Sequence, residues 1–290
     1  MIKYVHRKDL DLDKYNFCIE NSIQTRVYAF SWYLDVVANH WDVLVLDDYE
    51  AVMPIPWNKK YGLKYVTQPY FCQQICVYSK SNININIFIK KISKYFLYVN
   101  LNSCQKPDDF ESLEKINYQL NLNSDYSKIF KNYRKDRKKS LKKAKELQLR
   151  YQDFDNIESL IELYKIVFSH IKTSDKYFET IQSLMMYCLQ NKIGFTRNIF
   201  VDSTLVCSGF FVNYNARIYY LFAASSALGK KYGATTFLID SVIKEYSNSD
   251  FIFDFEGSTI PNVGSFYKSF GSKKTTYFNL KTNVFKRVIL

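Results

Sequence analysis

The chain has 290 residues, of which 47% are hydrophobic and 18% aromatic, so general disorder is excluded and a sizeable core is expected. Its 40 Lys and Arg residues against 28 Asp and Glu give a formal net charge of +12. No apolar stretch approaches the roughly 20 residues that cross a bilayer, and the N-terminus lacks the apolar core of a signal peptide. These features predict a cytoplasmic globular protein of about two domains or one large one.

The first half of the chain begins with two helical patterns and continues with extended segments. Apolar residues recur at helical spacing, and a period-two pattern around Asp47–Glu50 predicts a hairpin. The predicted elements are helices at 13–24 and 28–39, strands at 41–47, 51–56, 64–67 and 71–78, a helix at 83–94 and a strand at 95–101.

The second half repeats that order with clearer signals. A long amphipathic helix comes first, and Asp175 is the expected cap of the next one. The predicted elements are helices at 156–171 and from 175, strands at 195–202, 204–214 and 216–224, a helix at 233–246, a strand at 251–256, a helix at 263–270 and a strand from 275. The repeat predicts two copies of one α/β unit, with the first copy degenerate.

The six cysteines are scattered along the chain, and the three histidines lie far apart. A zinc site would need four ligands at suitable spacing, so we predict no metal site. Buried free thiols are the favoured interpretation over a redox role, in keeping with a cytoplasmic protein. The residues concerned are Cys18, Cys72, Cys76, Cys104, Cys188 and Cys207.

The positive charge is concentrated in one segment. Between Lys128 and Lys145 there are ten Lys and Arg residues and one acid, Asp136, a local net charge of +9. An apolar seam through this segment predicts a single helix. It either docks as a solvated helix or binds a phosphate-rich partner such as tRNA or another polyanion. No zinc-finger or RNA-recognition signature accompanies it, so sequence-specific DNA binding is not expected.

A glycine-containing basic turn links a predicted central strand to the helix that follows it. Gly229 and Gly233 permit close backbone approach, and Lys230 and Lys231 add positive charge. Because a helix N-terminus presents free N–H groups, this turn suits a phosphate group. The alternative is an ordinary strand–helix loop with two solvated lysines.

Two short motifs follow this turn, Asp254-Phe-Glu-Gly-Ser258 and Phe266-Tyr-Lys-Ser-Phe-Gly271. The succession of strand, basic turn, helix, strand and motifs resembles the GNAT acyltransferase superfamily, and most of all its branch related to Fem-type (FemAB-like) peptidyltransferases. The N-terminal stretch from Trp41 to Gln74 also resembles the first unit of bacterial members. The resemblance implies an α/β fold of two tandem GNAT-like units, with mixed central sheets flanked by helices. We expect a degenerate N-terminal unit at 1–125 and a C-terminal unit at 126–290 that opens with the basic helix.

The resemblance also implies a donor site. The family's pyrophosphate loop would begin at Lys230 and places Gly233 correctly, although Thr235 stands where the family has Gly or Ala. Acetyl-CoA or another acyl-CoA is the implied donor. The residues implied to bind it are Phe222, Ala223, Lys230, Lys231, Gly233 and Ala234.

Acyl transfer to an amine needs a proton donor for the leaving group and an acceptor for the amine proton. Tyr267, with a reference pKa near 10, is the predicted proton donor, and Glu256 the predicted acceptor through water. Asp254 shares a strand face with Glu256; it either lines the cleft, as a predicted substrate-binding residue, or meets solvent or a lysine. Three amides beside an apolar strand need partners and are predicted to line the acceptor cleft: Gln68, Gln73 and Gln74.

These observations predict an N-acyltransferase that moves an acyl group from an acyl-CoA-type donor to an amine of a sugar or cell-envelope precursor. One alternative is a Fem-type enzyme that takes its aminoacyl group from a tRNA, which the imperfect phosphate loop favours. The other is a non-catalytic binding protein on the same scaffold. The abundance of Asn, Ile, Lys and Tyr indicates an AT-rich bacterial genome.

Overall fold

A computed structural model describes residues 1–154 and 157–283. The predicted helix start at Asn156 and the last seven residues lie outside the described residues. The chain divides into two compact units. Unit 1 comprises Met1–Lys115 with the described residues from Thr276 onward, and unit 2 comprises Ile116–Thr275. This division lies ten residues before the predicted one at 125/126, and it assigns most of the C-terminal strand, Lys273–Asn283, to unit 1.

The N-terminal part follows the predicted order of helices and strands. Its elements are β1 (Ile2–His6), α1 (Leu12–Glu20), α2 (Ser31–Val37), β2 (His40–Leu46), β3 (Ala51–Lys60), β4 (Leu63–Thr67), β5 (Tyr78–Ser79), α3 (Ile85–Ile92) and β6 (Tyr98–Ser103). The predicted hairpin is confirmed as β2 and β3. The predicted strand at 71–78 is wrong, because this segment is mostly a loop that touches β6 at one isolated bridge, Ile75 with Ser103.

The C-terminal part is richer in helices than the first. Its elements are β7 (Ser112–Asn121), α4 (Tyr126–Lys131), α5 (Lys135–Glu146), β8 (Arg150–Asp153), α6 (Ile157–Val167), α7 (Asp175–Gln190), β9 (Gly194–Val201), β10 (Thr204–Tyr214), β11 (Arg217–Ser225), α8 (Ala227–Tyr232), α9 (Ala234–Glu245), β12 (Ile252–Asp254), α10 (Pro261–Lys268) and β13 (Lys273–Asn283). The cap of α7 is Ser174, whose hydroxyl accepts from the Tyr177 N–H, and the predicted cap Asp175 is the first helical residue.

Unit 1 is built on a mixed sheet. Strands β1 to β4 pair antiparallel in chain order, and β4 then runs parallel to β6 over two residue pairs, Val66 with Val99 and Thr67 with Asn100. On the other side of β6, strand β13 pairs antiparallel. The apolar faces of α1, α2 and α3 bury Tyr15, Tyr33 and Phe88 completely, so the helices of this unit cover a core.

Unit 2 repeats the arrangement. Strands β8 to β11 pair antiparallel in chain order, β11 runs parallel to β12, and β12 pairs antiparallel with β7. Helix α9 is the most deeply buried helix of this unit, and its side chains at Leu238, Ile239, Val242 and Ile243 are all 0% exposed. The shared element order confirms the predicted repeat of one α/β unit.

The basic segment forms two helices instead of the predicted single one. Helix α4 ends at Lys131, and α5 begins at Lys135 after Arg134, whose extended backbone donates its N–H to the Ser269 carbonyl. Tyr133, between the helices, is buried in the core of unit 2. The break lets an aromatic anchor enter the core while most of the cations stay at the surface.

The cysteines depart from the prediction at two positions. Cys76 and Cys104 form a disulfide, so they are not free thiols; the residues are far apart in sequence, which hid their pairing. The other four cysteines are free and buried. Burial raises the pKa of Cys18 to about 11 and that of Cys188 and Cys207 to about 12, so these thiols are held in the unreactive form.

Within the described residues, none of the helices combines the length and the apolar composition that crossing a bilayer requires.

Candidate functional site

The strands β11 and β12 separate in the middle of unit 2. They pair in parallel over three residue pairs, which end at Tyr219 and Asp254. Beyond that point β11 continues to Ser225, whereas the chain leaving β12 turns to β7, where the Phe255 N–H donates to the Tyr118 carbonyl at 3.1 Å. Among the described residues, no backbone pairing joins the two strands past this point. The β12-facing edge of β11 is therefore open over its last residues.

A bulge marks the same part of β11. Phe210 of β10 lies opposite Phe222, whereas Phe211 lies opposite Tyr220, so Leu221 is an extra residue on β11. A bulge bends a strand and redirects the side chains that follow it. The predicted donor residues Phe222 and Ala223 lie directly after the bulge, on the open part of the strand.

Tyr267 lies near the end of the separated strands, close enough to Glu256 to feel its charge. Tyr267 of α10 packs its ring 4.8 Å from that of Phe255 and 6.3 Å from that of Tyr220. Burial raises the pKa of Tyr267 well above its usual value, and the nearby charge of Glu256 raises it further. The phenol therefore carries its proton at neutral pH, as a proton donor must.

Glu256 is held in place by its backbone. Its φ of 62° lies in the left-handed region, which is uncommon for a residue other than glycine, and Gly257 after it has a φ of 82°. The Glu256 N–H donates to Asp254 Oδ1 at 3.1 Å. This turn takes Glu256 out of the strand, so it does not share a strand face with Asp254 as predicted.

Asp254 anchors the end of β12. Its side chain is 1% exposed and accepts hydrogen bonds at 2.9 Å from Asn117, Gln119 and Arg217. We predicted that this carboxylate lines a cleft or meets solvent or a lysine. The structure shows none of these: the Asp254 carboxylate is buried and paired with an arginine, Arg217. The carboxylate fixes the point at which β11 and β12 separate and also orients Glu256.

Aromatic rings cover the open part of β11. The ring of Tyr164 stacks on that of Phe222 at 4.5 Å, and Tyr177 lies 6.4 Å from it. Phe168 and Phe178 extend this cluster at 4.5 Å and 5.9 Å from Tyr164. Helices α6 and α7 thus supply an aromatic wall beside the bulge, a surface that suits the apolar part of a bound group.

The predicted phosphate loop is a helix in the structure. Helix α8 starts two residues after β11, capped by Ser226, and Gly229 lies within it against the Val206 carbonyl, where a Cβ would collide. Gly233, with a φ of 75°, joins α8 to α9. A Cβ on Gly233 would lie 3.2 Å from the Cβ and from the carbonyl oxygen of Ser140. Both glycines therefore serve close packing within unit 2.

Helix α5 covers this junction and presents cations beside it. Lys143 donates to the Lys231 carbonyl at 2.9 Å, and Arg137 donates to the Thr236 hydroxyl at 2.6 Å. Lys230 and Lys231 are exposed, whereas Ala234 is fully buried. Four exposed lysines of the basic segment have side chains without a partner in the part of the chain that the structure describes: Lys131, Lys135, Lys139 and Lys145.

The three predicted acceptor-cleft amides lie in unit 1, where they close a loop. Gln68 and Gln73 bind Asn102 of β6: the Asn102 N–H donates to Gln68 Oε1 at 2.9 Å, and its side-chain amide donates to the Gln73 carbonyl at 2.8 Å. Gln74 donates to Gln73 Oε1 at 3.1 Å. These contacts tie the segment after β4 to β6. The Gln73 side-chain nitrogen is buried without a partner among the described residues.

The sequence interpretation missed three parts of the site. Tyr220 and the bulge at Leu221 depend on strand register, which no local pattern reveals. Arg217, the partner of Asp254, lies 37 residues away in the chain. The aromatic wall did leave a signal, because Tyr164 and Phe168 stand four residues apart on a predicted helix face.

The chain is similar in fold to several solved structures. The crystal structure of FemX aligns with a TM-score of 0.66 at 8% identity and covers 96% of this chain and 96% of FemX. The C-terminal domain of an Agrobacterium fabrum protein assigned as a lysylphosphatidylglycerol synthetase gives a TM-score of 0.57 at 10% identity, covering 94% and 92%. A tandem GNAT protein from the clavulanic acid biosynthesis pathway gives 0.52 at 9% identity, covering 97% and 98%.

No family model matches the chain, and no curated protein matches its sequence significantly. The identities to the solved structures are low, so the likeness concerns the fold. It extends over nearly the full length of each chain and agrees with the repeat of strands and helices described above. The protein therefore has the GNAT-like, Fem-type α/β fold in two tandem units, as its sequence predicted.

Proposed function

We propose that this protein is an N-acyltransferase with its reaction centre in unit 2, where β11 and β12 separate. The observation that carries this proposal is the open edge of β11 past its pairing with β12, with the ring of Tyr267 packed at Tyr220 and Phe255 and Glu256 directly after Phe255. The fold, shared with FemX and a tandem GNAT protein, supports the same reaction class.

The reaction requires an amine to attack the donor's carbonyl carbon, which forms a C–N bond and a tetrahedral oxyanion. Backbone N–H groups of β11 near Phe222 and Ala223 would stabilise that oxyanion. Glu256 would take the amine proton through a water molecule. As the carbonyl re-forms, the bond to the leaving sulfur or oxygen breaks, and Tyr267 donates the proton that the leaving group needs.

The donor favoured by the packing of α5 is an aminoacyl-tRNA. Gly233 faces Ser140 of α5, so the α8–α9 junction does not offer an open glycine loop to the pyrophosphate of CoA. Beside the junction, α5 exposes Lys135 and Lys139 without acidic partners in the described ranges. Exposed cations along a helix suit a nucleic-acid backbone. Acyl-CoA is the alternative donor, and the acceptor would be an amine of a sugar or cell-envelope precursor.

The test is thermal unfolding with acetyl-CoA, CoA, deacylated tRNA and a mixed aminoacyl-tRNA pool. A donor at a hundred times its Kd stabilises the folded state by about 2.7 kcal/mol, which raises Tm by several degrees. We expect a shift with aminoacyl-tRNA that shrinks as salt is raised. A shift with acetyl-CoA alone would replace the tRNA by CoA as donor, and no shift with any ligand would contradict the proposal.

Charge-matched variants test where the donor binds. Lys135→Gln with Lys139→Gln should remove most of the tRNA shift and flatten the log–log salt dependence by about 0.9 for each duplex phosphate that is no longer neutralised. The control removes two exposed unit 1 lysines, Lys94→Gln with Lys106→Gln, and has the same net charge. An equal weakening of tRNA binding in the two double variants would show that the binding is non-specific.

A further inference from the structure

Unit 1 contains a cavity of about 580 Å³ that the proposed acyl transfer does not use. It lies among the C-terminal end of β1, the C-terminal end of α2, the start of β2 and the far part of β3. Its lining brings together two of the three histidines of the chain, His6 and His40, with the cations Arg7 and Lys8. A cavity of this size suits a ligand with the dimensions of a monosaccharide derivative.

A buried carboxylate, Asp42, organises one side of the cavity. Its side chain is 4% exposed and accepts from the Tyr4 hydroxyl at 2.6 Å, the Trp57 indole at 2.8 Å and the Arg7 backbone N–H at 2.9 Å. Burial alone would raise the pKa of Asp42, but these hydrogen bonds outweigh it and lower the pKa. Asp42 is thus an ionised carboxylate whose charge is satisfied from within the protein.

Asp42 also orients His6. The His6 Nδ1 atom lies 3.4 Å from Asp42 Oδ2, and the His6 side chain is about half exposed. An imidazole that is held through Nδ1 presents Nε2 as its available polar atom. Lys8, two residues further, is exposed and has no acidic partner within the described ranges.

A second carboxylate of the cavity, Asp35, fixes the guanidinium of Arg7 through two hydrogen bonds. Arg7 donates from Nε at 3.0 Å and from Nη2 at 2.7 Å to the two oxygens of Asp35, and the Trp41 indole adds a third bond at 2.9 Å. The Arg7 guanidinium lies 5.2 Å from the Trp41 ring centre. The Arg7 Nη1 atom has no partner in the part of the chain that the structure describes, so the N–H groups on Nη1 are available to a ligand.

His40 supplies a flat surface to the same cavity. Its ring stacks on Trp57 with 4.4 Å between centroids and 22° between planes, and it is exposed. The Lys64 ammonium lies 4.3 Å from the Trp57 ring and adds positive charge to this wall. A stacked pair of rings held in this way can pack against the face of a sugar ring.

The groups that the lining leaves for a ligand favour an anion. Arg7 and Lys8 carry positive charge, and the two carboxylates of the lining, Asp35 and Asp42, face donors of the protein itself. Both carboxylates already accept hydrogen bonds from protein donors, so the charged groups left for a ligand are the donors of Arg7 and Lys8. We propose that this cavity binds a phosphorylated sugar, with its phosphate on Arg7 and Lys8 beside His6 and its ring against His40.

The histidines provide the test, because the chain has only one other, His170 in unit 2. Imidazole NMR signals, assigned with His6→Gln and His40→Gln, would be followed while glucose 1-phosphate, inorganic phosphate or glucose is added. We expect glucose 1-phosphate to shift the signals of His6 and His40 but not that of His170. Inorganic phosphate should shift His6 more weakly.

Lys8→Gln should weaken glucose 1-phosphate binding about tenfold, since it removes one charge-assisted hydrogen bond. Lys3→Gln, at an exposed position of β1 outside the cavity, should leave the affinity unchanged. Equal shifts of all three histidines, or an unchanged affinity in Lys8→Gln, would overturn the proposal. Identical behaviour of glucose 1-phosphate and inorganic phosphate would overturn its sugar component.

Discussion

The two parallel strand pairs of the molecule share one geometry but end differently. In unit 1, β4 and β6 pair over two residue pairs, and the chain after β4 then returns to β6, where the Ile75 N–H donates to the Asn102 carbonyl at 2.8 Å. In unit 2, β11 and β12 pair over three residue pairs, and the described residues include no segment that continues the pairing. The edge of β6 past its pairing with β4 is thus covered by the chain itself, and we call β4–β6 the closed pair. The edge of β11 past its pairing with β12 is not covered by the described backbone, and we call β11–β12 the open pair.

The side chains around the two strand pairs also differ, since those of the closed pair bond one another and those of the open pair include titratable groups. The unit 1 pair is surrounded by amides that bond one another: Asn279 donates to Asn100 at 2.9 Å and to Asn102 at 3.0 Å. The unit 2 pair ends beside a phenol and a carboxylate, Tyr267 and Glu256. Amides that satisfy each other stabilise a loop, whereas titratable groups at an open edge are the requirement for proton transfer. This difference is our reason for placing the proposed reaction in unit 2.

Removing the anchor of the open pair should have the largest effect. Asp254→Ala leaves Arg217 buried without its acid, which should lower the free energy of unfolding by about 3–5 kcal/mol. Urea unfolding measures the loss. The double variant Asp254→Leu with Arg217→Met removes both charges and should recover part of it. A loss below about 1 kcal/mol would contradict the view that this ion pair sets the strand separation.

The next effect concerns the proposed reaction. Tyr267→Phe keeps the ring packing and removes the proton donor, so the transfer rate should fall about a hundredfold to a thousandfold while Tm stays nearly constant. Transfer would be measured with the donor that stabilises the protein. The control is Tyr70→Phe, which changes an exposed phenol. An unchanged rate in Tyr267→Phe would remove this residue from the mechanism.

A smaller effect is expected in the closed pair. Asn102→Ala removes the donor to the Gln73 carbonyl and the acceptor of Asn279, which should cost about 1–3 kcal/mol of stability. Donor binding should not change, because the open pair is intact. Thermal unfolding with and without donor measures both quantities. If the donor no longer shifted Tm in Asn102→Ala, the closed pair would take part in binding.

The smallest effect is a pH dependence in unit 1. The folded-state pKa of Asp42 is lowered, so its contribution to stability is present above the unfolded pKa of about 3.9 and is lost as pH falls through the folded value. The stability difference between the unchanged protein and Asp42→Asn should thus be largest near pH 7 and shrink below about pH 4. Asp9→Asn, at an exposed position, should show no such trend. A difference that grows in acid would contradict the assigned direction.

Most of the helices and strands could be predicted because their signals are local. The hairpin β2–β3 and the run from β9 to β12 follow from alternation, turn residues and helical periodicity over short windows. The failures share a physical cause. The segment 71–78 is apolar and looks like a strand, but tertiary hydrogen bonds to Asn102 hold it as a loop. The break before α5 likewise depends on Tyr133 entering a core that the local pattern does not describe.

The site was only partly predictable. Tyr267 and Glu256 were predicted from motif positions as proton donor and acceptor, and these roles stay a prediction; the structure brings the residues close enough for the charge of Glu256 to raise the pKa of Tyr267. The glycine turn was predicted as an open phosphate loop, yet Gly233 packs against Ser140, more than ninety residues earlier in the chain. A local pattern identifies a flexible backbone position, and only packing decides what approaches it.

The sequence by itself determined the order of the elements, the repeat of one α/β unit and the concentration of charge between Lys128 and Lys145, because periodicity and composition act over neighbouring residues. Only the tertiary structure decided which strand pair stays open, which carboxylate is locked by Arg217 and which histidines share a cavity. These outcomes depend on interactions between residues far apart in the chain, and such interactions form only when the whole core is packed.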